Sequence, residues 1–132
     1  MTEPIFLELE QVLYIQNFEA AFTNSPTIIR DKGALEAALA APKATFDGQF
    51  LMDLFEMAAA YVVSLAHNHP FMDGNKRTAA GTALAFLSIN GFIVEEKRDE
   101  ELADLILDFL DKSASKEDIA RYFRERAISK DS

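Results

Sequence analysis

Apolar residues recur at spacings of three and four along most of this chain, and strict alternation is nearly absent, so the pattern is helical almost throughout. From about Leu7 to Phe22 one stripe carries Leu9, Val12, Leu13 and Gln16, and Ile15, Phe18 and Phe22 widen it. Asn24-Ser25-Pro26 breaks the run. Asp31 is placed to cap a short helix that turns Leu35, Ala38 and Leu39 inward, and Pro42 stops it from continuing. The stretch from Pro42 to Gln49 contains Asp47-Gly48 and predicts a loop or a small turn-built flap.

Phe50, Leu54, Phe55, Ala58, Tyr61, Val62 and Leu65 predict an amphipathic helix over Phe50 to His67. Pro70 ends it, because the residue before a proline is pushed out of the α region. A second helix is expected from near Asn75 to Asn90, with Gly91 as the residue just past its end. Thr78, Ala79, Ala80, Gly81, Ala83, Leu84, Ala85 and Leu87 make it small and apolar nearly all round, as in a buried central helix. Phe92-Ile93-Val94 reads as a short extended piece. Asp99 is expected to cap a helix with Leu102, Leu105, Ile106, Phe109 and Leu110 inside. Ser115 with Asp118 approximates a capping box for a last helix through Ile119, Tyr122 and Phe123, and the tail after Ala127 is expected to fray. The fold class is therefore all-α, a bundle of about six helices with a flap near residues 42–49, in one domain with its core over about 7–127.

Composition narrows the function classes. A chain of 132 residues has room for one sizeable core, and 49% hydrophobic with 27% charged residues is ordinary for a globular domain. The chain has no cysteine, which excludes disulfides, thiolate catalysis and Cys-based metal sites. A formal net charge of -9 argues against broad nucleic-acid binding, which needs a positive footprint. No apolar run is long enough to span a bilayer and no signal-peptide pattern opens the chain, so a cytoplasmic protein is expected.

The chemistry gathers in His69-Pro70-Phe71-Met72-Asp73-Gly74-Asn75-Lys76-Arg77, at the junction of the two central helices. The first N–H groups of the helix starting near Asn75 have no intrahelical partners and carry the positive end of its dipole, a ready site for an anion. Gly74 lets a ligand approach the backbone, Asn75 adds a side-chain amide, and Lys76 and Arg77 bring cations to the rim. Two cations in a first helical turn oppose the dipole, which favours an anion between them. Asp73 is a hard oxygen ligand of the kind that holds Mg²⁺ together with phosphates, and His69 is able to accept a proton from an attacking hydroxyl. Phe71 reads as the anchor of the loop. Each residue also has a plain structural reading: a solvated histidine, a turn at Asp73-Gly74, a surface pair at Lys76-Arg77. His67 and His69 are the only histidines, too few ligands for a zinc site.

The string HPFMDGNKRTA resembles the signature of the Fic/Doc family, His-Pro-Phe-x-Asp/Glu-Gly-Asn-x-Arg. Ile28 to Gln49 is similar to the segment that precedes this motif in death-on-curing (Doc) members, and Thr82 to Phe92 resembles the helix that follows, so the likeness covers roughly Leu9 to Leu110. The resemblance implies a Fic-type helical fold that uses ATP and Mg²⁺. In it His69 would deprotonate a target hydroxyl and Asp73 would bind the metal. Gly74 and Asn75 would form the anion hole, Arg77 would contact phosphate, and Lys76 would either touch phosphate or shape the pocket. AMP-transferring Fic enzymes usually have Gly in place of Lys76 and a second Arg in place of Ala80, so both residues point to the Doc branch. Doc proteins phosphorylate a threonine on elongation factor Tu and block translation. They are restrained by an antitoxin whose C-terminal segment lies in a groove, here expected beside the first helix and the flap. Two other readings stand beside this kinase toxin: a Fic-type AMP-transferase and a non-catalytic nucleotide- or partner-binding module. Many Doc relatives have a histidine at about the position of Gln16. Ser113 and Glu117 match the Ser-x-x-x-Glu spacing of an inhibitory helix, although chance and plain helix capping explain so short a pattern better.

Overall fold

The computed structural model describes residues 3–23 and 28–131, without the side chains of residues 19–23. The expected break at Asn24-Ser25-Pro26 and the inward-facing Phe22 side chain therefore lie outside the described residues. Among the described residues the helices follow the apolar periodicity: α1 (Leu9–Thr23), α2 (Lys32–Ala40), α3 (Leu54–Asn68), α4 (Asn75–Ile89), α5 (Glu101–Leu110) and α6 (Lys116–Arg126). The flap is a 3-10 turn over Ala41–Lys43 and a two-residue hairpin of β1 (Thr45–Phe46) with β2 (Gln49–Phe50). Asp47 and Gly48 both have positive φ, 54° and 79°, the backbone of the tight turns whose twist suits a two-residue hairpin loop.

Local chemistry explains most helix limits. Asp31 caps α2 by accepting from the Ala34 N–H at 3.0 Å. α3 begins at Leu54 rather than Phe50, and Phe50 belongs to the hairpin. Asp53 and Glu56 decide this, because the Asp53 carboxylate accepts from Glu56 N at 2.8 Å and the Glu56 carboxylate accepts from Asp53 N at 3.0 Å. Ser115 and Asp118 close the same reciprocal box at the start of α6, and Gly91 follows α4 with φ 99°.

Helices α3 and α4 form the centre. α3 packs against α4, α6 and α2, while α4 also meets α1 and α5. Tyr61, Phe71, Phe86, Phe123, Leu35, Met57 and Leu65 are among the largest fully buried side chains. α4 is not enclosed on all sides, since Leu84 and Ile89 reach solvent. Phe18, expected to widen the buried stripe of α1, is 54% exposed, whereas Val12 and Gln16 on the same helix are fully buried. Tyr61 accepts from the Leu7 N–H at 3.2 Å, and burial holds its phenol neutral up to about 12.

Two expectations near the C-terminus are corrected. Asp99 does not cap α5. Glu100 precedes the helix with φ 63° and no side-chain cap, and the Leu102 N–H bonds to the Glu96 carboxylate, six residues back, at 3.0 Å. The tail after Ala127 does not fray: β4 (Ala127–Ser129) pairs antiparallel with β3 (Phe92–Val94), Ile93 opposite Ile128. Lys130 completes the clasp by donating its backbone N–H to Gly91 O at 2.9 Å and its ammonium to Ser88 O at 2.7 Å.

Arg126 at the end of α6 meets Glu101 at the start of α5 at 2.9 Å, and both side chains are largely sheltered. The Arg126 guanidinium holds the Glu101 carboxyl near 2, well below its usual range. A lowered folded pKa contributes stability that is present above the ordinary carboxyl value and lost as pH falls. Urea unfolding across pH is therefore expected to show Glu101→Gln less stable than the unsubstituted protein at neutral pH, with the difference shrinking between about pH 4.5 and 2. A pH-independent difference would mean that the ion pair is not its source. Among the described residues no helix is long and apolar enough to cross a membrane.

Candidate functional site

The motif loop is built from both its flanks. α3 ends at Asn68, and His69 turns the chain with a left-handed backbone, φ 49° and ψ 58°. Pro70 and Phe71 then dive into the core, while Met72 and Asp73 return to the surface. Gly74 takes φ 77° and opens α4. Only glycine adopts that angle without strain. A β-carbon at Gly74 would meet nothing closer than Gln16 Nε2 at 3.8 Å, so the backbone angle rather than crowding favours glycine.

A cavity of about 540 Å³ opens over this turn, lined by His69, Met72, Asp73, Gly74, Asn75, Lys76 and Arg77. The structure thus brings six of the seven singled-out residues onto one concave surface. The seventh, Phe71, lies beneath it at 1% exposure, in the position of an anchor. His69 is exposed at the rim, and the first turn of α4, whose N–H groups lack intrahelical partners, lines the same cavity. Lys76 and Arg77 also border a second cavity of about 350 Å³, continued by Ala80, Glu100, Ala103, Asp104 and Leu107 on α4 and α5. Ala80, the position without a second arginine, therefore faces this annexe.

One residue plays a different part from the expected one. The Asn75 side chain turns back into the loop, where Oδ1 accepts from Phe71 N at 3.0 Å and Nδ2 donates to Phe71 O at 2.9 Å. Asn75 is 9% exposed and works as a clasp, with its carbonyl oxygen and one amide N–H committed to the Phe71 backbone. Asn75→Ala leaves the buried N–H and C=O of Phe71 unmet and is expected to cost about 2–4 kcal/mol in urea unfolding. Asn75→Asp, which keeps the acceptor alone, is expected to recover part of that loss. Equal stability of Asn75→Ala and the unsubstituted protein would remove the clasp from the account.

Asp73 accepts from the Gly74 N–H at 2.8 Å through its carboxylate, and its carbonyl receives the Gln16 amide at 3.4 Å. Gln16 reaches the loop from α1 at 1% exposure, and its Oε1 has no partner among the described residues. Among the described residues no three His, Asp or Glu side chains gather in a way that would hold a metal by themselves. Asp73 is thus a single hard donor on the cavity that Lys76 and Arg77 also line, a set that suits Mg²⁺ only when phosphate oxygens and water complete the coordination.

The residue that sequence reasoning passed over is Arg30. Its Nε donates to His69 O at 2.8 Å and its Nη2 to Asn68 O at 3.0 Å, while Arg30 N and Asp31 N both donate to Pro70 O. Ile29 pairs with Phe71 as an antiparallel bridge, and Met72 N donates to Ile28 O at 2.9 Å. No local pattern marks contacts 38 and 39 residues apart. Ser113 and Glu117 do not line the motif cavity. The Ser113 hydroxyl bonds to the Asp111 carboxylate, and Glu117 borders a separate small cavity with Glu56 and Arg124.

The chain is 46% identical over 77 residues to Toxin Doc of Mycolicibacterium smegmatis (strain ATCC 700084 / mc(2)155), covering 58% of this chain and 59% of that protein. It is 44% identical over 75 residues to Protein kinase doc of Escherichia phage P1, covering 57% of this chain and 58% of the relative. The matches thus span less than two thirds of each relative's length. The model of the Fic/DOC family matches residues 2–87, a stretch that holds the whole motif loop and most of α4, and this chain belongs to the Fic/DOC family.

Proposed function

We propose that this protein is a Doc-like toxin of a toxin–antitoxin pair that moves the γ-phosphoryl group of ATP onto a Ser or Thr hydroxyl of a translation factor resembling elongation factor Tu. The observation that carries the reading is one cavity lined by His69 together with the N-terminus of α4, its two cations and Asp73. In this arrangement His69 takes the proton of the target hydroxyl as its oxygen bonds to phosphorus and ADP leaves. The backbone N–H groups from Asn75 onward, with Lys76 and Arg77, hold the negative charge of the phosphate chain. Asp73 would hold Mg²⁺, which when bound neutralises phosphate charge.

Phosphoryl transfer is favoured over AMP transfer by Lys76, which fills space that a glycine would leave for phosphate, and by Ala80, which brings no second guanidinium to the annexe. The name of one relative, Protein kinase doc, supports the same choice, and that of the other, Toxin Doc, supports a toxin. Beside α1, but shared with α4 rather than with the flap as expected, a groove of about 500 Å³ lined by Leu7, Tyr14, Ile15, Ala85 and Ile89 among others offers apolar surface to an antitoxin segment. The reaction belongs in the cytoplasm, where ATP and translation factors are found.

The test is incubation of the purified protein with a bacterial lysate, Mg²⁺ and ATP labelled at the α or the γ phosphate. Protein labelling from γ alone is expected, and the labelled band identifies the target. Labelling from α would replace this reading with AMP transfer. Growth arrest without labelling from either would favour a binding module.

A further inference from the structure

We infer that Arg30 is a positioning residue for the motif loop, holding the His69 backbone in its left-handed turn by donating to the two carbonyls at the end of α3. This rests on the transferase reading only where activity is the measurement. A helix that ends on a left-handed residue ordinarily closes when the following N–H groups bond back to carbonyls of the last turn. Here the following residue is Pro70, which has no N–H, so the donor that usually caps such an end is missing. His69 also carries a β-carbon at φ 49°, in a region that residues other than glycine seldom occupy unless their surroundings hold them there.

Arg30 supplies what Pro70 lacks. One planar guanidinium spans both carbonyls, Nε to His69 at 2.8 Å and Nη2 to Asn68 at 3.0 Å, and it places a positive charge at the negative end of the α3 dipole. The arginine is itself fixed. Its own N–H and that of Asp31 reach Pro70 O at 2.7 and 3.0 Å, and Asp31 is in turn the cap of α2. With the Ile29–Phe71 bridge and the Met72–Ile28 bond, residues 28–31 splint residues 68–72 on one side. Asn75 braces the other side through Phe71. The direction of the His69 side chain is therefore set by a segment that touches neither Asp73 nor the first turn of α4 through any of these bonds.

Arg30→Ala and Arg30→Lys, compared with the unsubstituted protein, test this through kcat and KM for ATP, thermal unfolding, and the NMR amide signals of His69, Phe71 and Met72. Arg30→Ala is expected to lower kcat about 10- to 100-fold through misplacement of His69. KM for ATP should change by less than about threefold, because the nucleotide-facing groups stay in place. Arg30→Lys, with one ammonium in place of a two-pronged fork, should recover only part of kcat. The three amide signals should shift or split in Arg30→Ala and return part of the way in Arg30→Lys. Unchanged kcat in Arg30→Ala would overturn the inference, and so would a loss that merely follows the unfolded fraction. If the unsubstituted protein transfers no phosphate, the proposed reaction fails, and the amide signals still decide: displaced signals support the role of Arg30, and unmoved ones overturn it.

Discussion

His69→Ala is expected to lower phosphoryl transfer by about two to four orders of magnitude, the usual contribution of a positioned general base, and to leave the protein folded. The separation of the two effects follows from where His69 sits. Its side chain is exposed at the cavity rim, so its removal opens no hole in the core. Its main-chain bonds to Arg30 use the carbonyl, which alanine retains. Alanine also inherits the left-handed backbone, so stability should change by no more than about 1 kcal/mol. His69→Gly makes the contrast sharper, because glycine occupies that backbone freely and should unfold no sooner than His69→Ala while remaining as inactive. Transfer of labelled phosphate and urea unfolding, measured on the same preparations, check both statements. Transfer by His69→Ala at the rate of the unsubstituted protein would end the assignment of His69 as the base.

Phe71→Ala should produce the largest loss of stability of any single change in the loop, about 3–5 kcal/mol for deletion of a buried aromatic ring. A domain of this size has on the order of 5–15 kcal/mol in all, so the variant would sit close to unfolding at ambient temperature. Phe71 is 1% exposed, one of the largest fully buried side chains, yet it belongs to the loop that lines the cavity from below. Its backbone is bonded to Asn75 on one side and paired with Ile29 on the other. The ring is thus the point where the loop is fastened to the core, and its removal should loosen His69 and the start of α4 together. Phe71→Leu, which refills much of the volume, should lose considerably less stability. Chemical denaturation of both variants reads the difference. A loss below about 1 kcal/mol for Phe71→Ala would show that the backbone bonds alone secure the loop.

The sequence by itself determined the features whose causes lie within about one helical turn. Periodicity located the helices, Asp31 and the Ser115–Asp118 pair marked their caps, and Gly91 marked an end, because capping bonds join residues three or four apart. The grouping of the candidate site was legible for the same reason, its seven residues falling within nine consecutive positions at a helix junction whose backbone chemistry is local. Even there a short-range signal was missed, for the Asp53–Glu56 box moves the start of α3 past Phe50.

Tertiary structure decided the rest. Arg30 reaches the end of α3 across 38 and 39 residues, and Gln16 reaches Asp73 across 57. Arg126 meets Glu101 across 25 residues, and the C-terminal tail finds an edge at Phe92–Val94 instead of fraying. Asn75 is the clearest case: its amide looked available to a ligand in the sequence, and folding turned it onto the Phe71 backbone once that residue was buried. The physical reason is common to all of these. Hydrogen-bonding groups that folding buries or brings together must find partners in space, and which groups those are depends on the packing of elements far apart in the chain.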